Sequence, residues 1–464
     1  MTGVPLILTF IFAIVAMIFC ISKLKIHPFL SMMIVSLLFG LVAGIPLINT
    51  TVDGRARDGI ATVIGAGFSG TFTSIGIVII LGALIGTVLE VTGAAFKLAD
   101  MVIKLVGKKN PVLAMQLMGW VVSIPVFCDS GFVILDPIRK ALVKRTKASS
   151  VAMTVALSTG LYASHVFIPP TPGPIAAAGN LFGDKVGEYL LLVMGMGALV
   201  SIPALIGAYF FSKYIGKKVK SKEDVELENI TQTYEELVAS YGKLPGGSLS
   251  LAPIVVPILL MALGSIAAMA KWTGMLFRIS AFLGTPIIAL GVGVIFAVLQ
   301  ISAVKKLDKF AEVTESTLKI VGPILFITAA GGVLGRVIAN TSIVAFITEN
   351  IKSIATIGIF FPFVLSAILK TAQGSSTVAL ITTSSICAPL LGTLGLDSPV
   401  RTALTVMAIA AGSMTVSHAN DSYFWVVTNF GKMSPEQGYK TQTTATLVEG
   451  LCAMAGVFIL SLIF

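Results

Sequence analysis

Two stretches decide how this chain is organised: Ser164-His165-Val166-Phe167-Ile168-Pro169-Pro170-Thr171-Pro172-Gly173-Pro174 and Ser417-His418-Ala419-Asn420-Asp421-Ser422-Tyr423-Phe424-Trp425. Each begins with Ser-His, and two of the 3 histidines in 464 residues fall in this matched pair. Each interrupts an apolar run with residues that break or cap helices. A pattern recurring once in each half predicts a duplicated architecture with broken helices at equivalent places. His27, the third histidine, precedes Pro28 at an interfacial turn and reads as structural.

Composition fixes the medium. Hydrophobic residues are 56% of the chain and charged residues 12%, about half the charge fraction of an ordinary soluble domain. That little charge cannot cover a surface in water. A spanning helix needs about 20 apolar residues, so the long apolar runs predict an all-α polytopic membrane protein. An outer-membrane barrel would instead show short segments of period-two alternation. The first run, Val4–Ile21, has no basic residue before it and Lys23 and Lys25 after it, the reverse of a signal peptide, and reads as the first span. The net charge is +10, but the bases cluster beside apolar runs, where they anchor cytoplasmic loops, and no nucleic-acid partner is expected. Cys20, Cys128, Cys387 and Cys452 have no CxxC spacing and read as packing residues. No metal or cofactor is expected.

Residues 213–248 break the apolar pattern with five lysines by Lys222, then Glu223, Asp224, Glu226, Glu228, Glu235 and Glu236. This predicts a solvated cytoplasmic linker (213–248) between a first repeat (1–212) and a second (249–464). In the first, spans are expected at 4–21, 29–48 and 74–89, then a broken region at 111–135, a broken span from 151 and a return at 189–211. The region 111–135 has basic residues on both flanks and is cut by Cys128-Asp129-Ser130-Gly131. Such a segment predicts a re-entrant hairpin, whose non-helical tip is tolerated only where it is buried or lines a cavity. The second half repeats the order at 251–270, 286–301, 320–334, 357–391 and 402–427, with a last span from Thr443. Lys305, Lys306 and Lys309 belong inside, which gives this half the opposite orientation. The expectation is two inverted-topology repeats, each with about five transmembrane helices and one re-entrant hairpin. Gly82 and Gly86 answer Gly331 and Gly335, a spacing that by itself only packs helices. Asp129-Ser130-Gly131 answers Gly374-Ser375-Ser376-Thr377.

Ionisable groups at bilayer depth cost a few kcal/mol and persist mainly where they line a polar path or pair. Asp129, His165, Lys370, His418 and Asp421 fit that description. The bland alternatives are a carboxylate capping a broken helix, a histidine satisfying freed backbone groups, and a lysine that snorkels. Glu90 and Asp136 lie nearer segment ends and read as structural. A helix restarting at Ser375-Ser376-Thr377 presents unpaired N–H groups that suit a carboxylate, and one restarting near Ser130-Gly131 would face it. Broken helices at matching places in inverted halves point to a transporter site near the midplane. An enzyme reading lacks a G-x-S-x-G elbow or an H-E-x-x-H helix, and a channel reading lacks a repeated filter sequence.

Together with Gly374-Ser375-Ser376-Thr377-Val378-Ala379, the two opening stretches resemble the gluconate permease family of the ion transporter superfamily. The likeness runs in order along nearly the whole chain. It implies proton-coupled uptake of gluconate or a related sugar acid across the inner (cytoplasmic) membrane. It also implies a homodimer working as an elevator, in which a domain carrying both hairpins moves through the lipid bilayer against a scaffold. The expected substrate-binding set is Ser130, Gly131, Ser164, His165, Thr171, Gly374, Ser375, Ser376, Thr377, Ser417, His418 and Asn420. Asp129 and Asp421 are expected to couple the proton, and Lys370 to partner the anion. Enterobacterial gluconate permeases tend to carry Glu, His and Arg where Asp129, Thr171 and Lys370 stand. The resemblance therefore leaves gluconate, glycerate, another aldonate or D-serine open, and sodium remains an alternative coupling ion.

Overall fold

The computed structural model describes residues 3–52, 55–106, 110–225, 244–269, 271–342, 358–418 and 421–464. Apart from a small antiparallel hairpin of β1 (Thr50–Val52) and β2 (Arg55–Arg57), the described elements are helices. The first part of the chain forms α1 (Val4–Ser22), α2 (Pro28–Ala43), α3 (Ile60–Thr71), α4 (Ile77–Val91) and α5 (Ala94–Val106). It continues through α6 (Pro111–Val122), α7 (Cys128–Thr146), α8 (Ser150–Phe167), α9 (Pro172–Phe182), α10 (Val186–Lys218) and the short α11 (Lys222–Val225). The second part comprises α12 (Gly247–Met269), α13 (Gly274–Gly284), α14 (Pro286–Ala303), α15 (Phe310–Ala339) and α16 (Phe360–Gln373). It closes with α17 (Ser376–Cys387), α18 (Pro399–Met414), α19 (Ser422–Phe430), α20 (Pro435–Gly438) and α21 (Thr444–Ile463).

Local sequence sets many of these boundaries. Proline opens α2, α6, α9, α14 and α18, at the first turn where its missing N–H costs no hydrogen bond. Side chains of Asn110, Ser149, Ser375, Ser398 and Asp421 cap the helices they precede. Among the described residues, six helical stretches are long and apolar enough to cross a membrane, and α4 and α5 meet at a 77° bend. The outer surface suits hydrocarbon: Phe12 and Leu462 are each 71% exposed and Phe210 66%, large apolar groups that a soluble surface would not gather.

At the centre, every residue of α8 is buried, and so is α18 from Thr402 to Met414. Both are rich in Ala, Ser, Thr and Gly, the small residues that let helices approach closely without a hydrophobic drive between them. Gly160 of α8 lies on the backbone carbonyl of Gln116 in α6, and Gly412 of α18 on that of Phe363 in α16. Any side chain at either place would run into backbone. Helices distant in sequence also meet: α2 packs on α15 and α4 on α14, while α9 packs on α17 and α7 on α19.

Several details differ from the sequence expectation. Helices α3 and α13 occupy stretches that the hydropathy reading left between spans; at 12 and 11 residues they are too short to register as spans. Helix α10 continues to Lys218, so the helix outlasts the apolar run that ends near Phe211. The acidic stretch is also not simply solvated at its start. Glu223 is buried, its carboxylate 2.8 Å from the fully buried Arg139 guanidinium, which also meets Asp136 at 2.7 Å. A buried guanidinium must be paired, and the linker supplies one of its two carboxylates. Of the matched glycines, Gly331 and Gly335 pack on a helix, against Ser385 of α17, whereas Gly82 and Gly86 sit against Pro170 and Pro125 in the turns at two helix breaks.

Candidate substrate site

The site is built at three helix breaks. The first lies between α16 and α17, where Gly374 takes φ 88°, a left-handed conformation that any Cβ would strain. Its carbonyl accepts a hydrogen bond from Lys370 Nζ at 2.5 Å. Ser375 then caps α17 by accepting from Val378 N, leaving the start of that helix at Ser376 and Thr377 beside the turn.

The second break separates α18 from α19. Val416 has φ 61°, a conformation that costs a β-branched residue about 1–3 kcal/mol and persists only where surrounding contacts enforce it. Two such contacts are Ser417 N, which donates to Thr446 Oγ1 of α21 at 3.0 Å, and His418 Nε2, 3.1 Å from the Thr371 carbonyl of α16. Asp421 then caps α19 through Tyr423 N. Its carboxylate also accepts from Ser417 Oγ at 2.5 Å and from Lys370 Nζ at 2.6 Å. Lys370 is 1% exposed and Asp421 5%, and the Tyr162 ring lies 5.8 Å from the ammonium. This is a satisfied, buried ion pair that joins α16 to the second break. Its charge-assisted bonds repay a desolvation that neither ion could bear alone.

The third break separates α6 from α7, and it brings Asp129 to the first turn of α7. Asp129 Oδ1 accepts from Ser422 Oγ at 3.3 Å and its Oδ2 lies 3.7 Å from Cys128 Sγ. The carboxyl thus faces the start of α19 and is only partly buried. Ser130 lies beside the Glu90 carboxyl of α4, so a residue that reads as structural in the sequence stands near the tip of this break. Gly131 packs against Leu161 of α8.

The break after α8 is organised differently. Thr171 Oγ1 donates to the carbonyls of His165 and Ile168 at 2.8 and 2.9 Å, so its proton is used in closing the break. Ser164 is buried and donates along its own helix to Leu161. His165 is 6% exposed, its Nδ1 has no hydrogen-bond partner, and its ring lies 5.9 Å from Phe127. Asn180 of α9 ties this part of the chain to α17 by donating to Ile381 O, Ser384 Oγ and Ser385 Oγ at 2.9–3.2 Å.

The breaks therefore gather Asp129, Lys370, Gly374, Ser375, Ser417, His418 and Asp421, while Ser164 and Thr171 serve the backbone of their own break. Asn420 lies outside the described residues. Sequence reasoning did not single out Ser422 and Tyr162, which carry no spacing signal.

A model of the GntP family permeases matches residues 5–463. The chain belongs to the GntP permease family. The inner membrane permease YgbN of Escherichia coli is 30% identical over 97% of this chain and 97% of its own length. The gluconate permease of Bacillus subtilis is 28% identical over 99% of this chain and 100% of its own. Among solved structures, the YdaH transporter of Alcanivorax borkumensis superimposes with a TM-score of 0.64 at 16% identity, covering 94% of this chain and 97% of that one. At that identity the likeness concerns the fold alone. This GntP family member is accordingly a transporter and not an enzyme, a multi-pass protein of the inner membrane.

Proposed function

We propose that this permease is a secondary active transporter that takes up gluconate or a closely related sugar acid together with protons. The substrate class is supported by the gluconate permease that is 28% identical over essentially the full length. The observation that carries the mechanism is the buried contact of 2.6 Å between Lys370 and Asp421. A permease for an anion needs a cation that is compensated when the site is empty and available when it is loaded. Here the substrate carboxylate takes the place of the Asp421 carboxylate beside Lys370, assisted by the N-terminal N–H groups of α17. Asp421 then takes up a proton, so proton and anion enter together and the site's net charge is unchanged. Asp129, hydrogen-bonded to Ser422 at the same helix start, is the second carboxylate of this coupling. Substrate hydroxyls are met by Thr377, Asn420 and the histidines.

The architecture proposed with this is a pair of inverted repeats, 1–212 and 249–464, with re-entrant hairpins formed by α6–α7 and α16–α17. The reciprocal packing of α2 on α15 and α4 on α14, and of α9 on α17 and α7 on α19, supports it. So does the equivalent use of Gly160 and Gly412. The working unit is a homodimer in which the part carrying both hairpins moves as an elevator.

The test is purified protein in liposomes, offered labelled gluconate, glycerate and D-serine under a proton gradient or a sodium gradient. Gluconate accumulation on the proton gradient alone is expected. Asp421→Asn and Asp129→Asn should each abolish uphill accumulation. If both variants still concentrate substrate on a proton gradient, this coupling scheme is wrong.

A further inference from the structure

Glu449, in the second turn of α21, is fully buried, and neither of its carboxyl oxygens has a hydrogen-bond partner among the described residues. Helix α21 packs on α8, α10 and α18, and none of them brings a lysine or arginine to balance Glu449 among the described residues. The titratable groups that sense it are Tyr162 on α8, Tyr423 on α19 and Cys452 on its own helix. All three types are ordinarily neutral at pH 7. Burial without a cation or a hydrogen-bond donor disfavours the ionised carboxylate, so this conformation suits the neutral, proton-holding acid.

Its position gives that proton a use. Gln442, in the helical turn Tyr439–Thr443 that leads into α21, and Thr446 and Glu449 on α21 are all fully buried and stand at intervals of four and three residues, close to the spacing of one helix face. Gln442 Oε1 accepts from Ser158 Oγ, and the Ser158 carbonyl accepts from Tyr423 OH beside the Asp421 cap. Thr446 Oγ1 accepts from Ser417 N, and Ser417 Oγ donates to Asp421. This polar face is thus the rear wall of the Lys370–Asp421 site, and Glu449 stands one turn beyond the residue that holds the second break in place. Nothing in the Lys370–Asp421 exchange uses it, yet polar groups at bilayer depth are retained mainly where they act.

We infer that Glu449 is a second proton-binding site, loaded and unloaded once per transport cycle and linked to the substrate site through Thr446 and Ser417. The step is a plain protonation: the carboxyl O–H bond forms from water on one side of the membrane and breaks to water on the other. The inference rests on the proton coupling proposed above. In liposomes with the membrane potential clamped at zero and a pH difference of about one unit, each coupled proton raises the limiting accumulation ratio about tenfold. Glu449→Gln should still exchange labelled gluconate across the membrane, at a reduced rate, and should reach a ratio about tenfold below that of the wild type. Equal ratios would overturn the inference. A wild type driven by sodium and indifferent to the pH gradient would instead overturn the coupling reading of the preceding subsection. Should Glu449→Gln show no exchange, infrared spectra of the membranes decide: a protonated-carboxyl stretch present in the wild type and missing in the variant upholds the assignment, and the same stretch in both refutes it.

Discussion

Lys370 and Asp421 hold each other in place, and their interdependence can be measured. Removing one member leaves the other charge buried and unpaired, which costs about 3–5 kcal/mol, whereas removing both leaves no uncompensated charge. Lys370→Met and Asp421→Asn are each expected to lower the melting temperature in detergent markedly, and the double variant to recover most of that loss. None of the three should accumulate gluconate, because stability and transport depend on the pair in different ways. Additive destabilisation in the double variant would show that the two side chains do not interact. Asp421 was legible in the sequence as a charge beside a helix break. Lys370 was legible only as an odd lysine in an apolar arm, since its partner stands 51 residues away. Glu449 shows the limit more sharply. A single acid in an apolar span is a signal by itself, but its full burial and its place behind Ser417 emerge only when α21 packs on α18.

Among elements, the proposed repeats make α8 and α18 equivalents, and each seats a neighbouring helix on a glycine. The clefts in which Gly160 and Gly412 seat α6 and α16 are lined by backbone carbonyls, which cannot move aside as a flexible side chain can. Gly160→Ala and Gly412→Ala are therefore each expected to destabilise the protein by about 1–3 kcal/mol, the usual cost of overpacking. Thermal melts should show losses of similar size for the two. A large effect at one position with none at the other would break the proposed equivalence of the repeats. The Ser-His pairs pointed to a duplication in the sequence because histidine is rare in this chain. These glycines did not, because glycine is common here, with 45 in the chain, and only the packing distinguishes a seat from a space. The same reason hid α3 and α13: a helix of 11 or 12 residues does not separate from a loop in a hydropathy reading tuned to spans.

At the scale of the whole molecule, the start of the linker is a fastening between the two parts of the chain. Glu223 and Asp224 bind Arg139, Ser150 Oγ and Ser150 N at 2.5–2.8 Å. Arg139 in turn reaches the Phe430 carbonyl at the end of α19, and Lys222 N donates to Lys432 O. Burial alone would push the Glu223 carboxyl up, but the Arg139 guanidinium and the hydrogen bonds from Arg139 and Ser150 outweigh it and hold the group below its ordinary range. A carboxylate held low in the folded state adds stability that is fully present above its unfolded value, about 4.3, and is lost as pH falls through the lower folded value. The fastening should thus be unchanged between about pH 5 and 8 and should open only in stronger acid. Glu223→Gln should open it at neutral pH, because the lost charge-assisted bonds are worth about 1.5–3 kcal/mol. Trypsin cleavage after Lys220 and Lys222 should then accelerate on the order of tenfold or more. If cleavage in the variant proceeds at the wild-type rate, Glu223 does not hold the linker down, and Asp224 with the Lys222–Lys432 contact must do so instead.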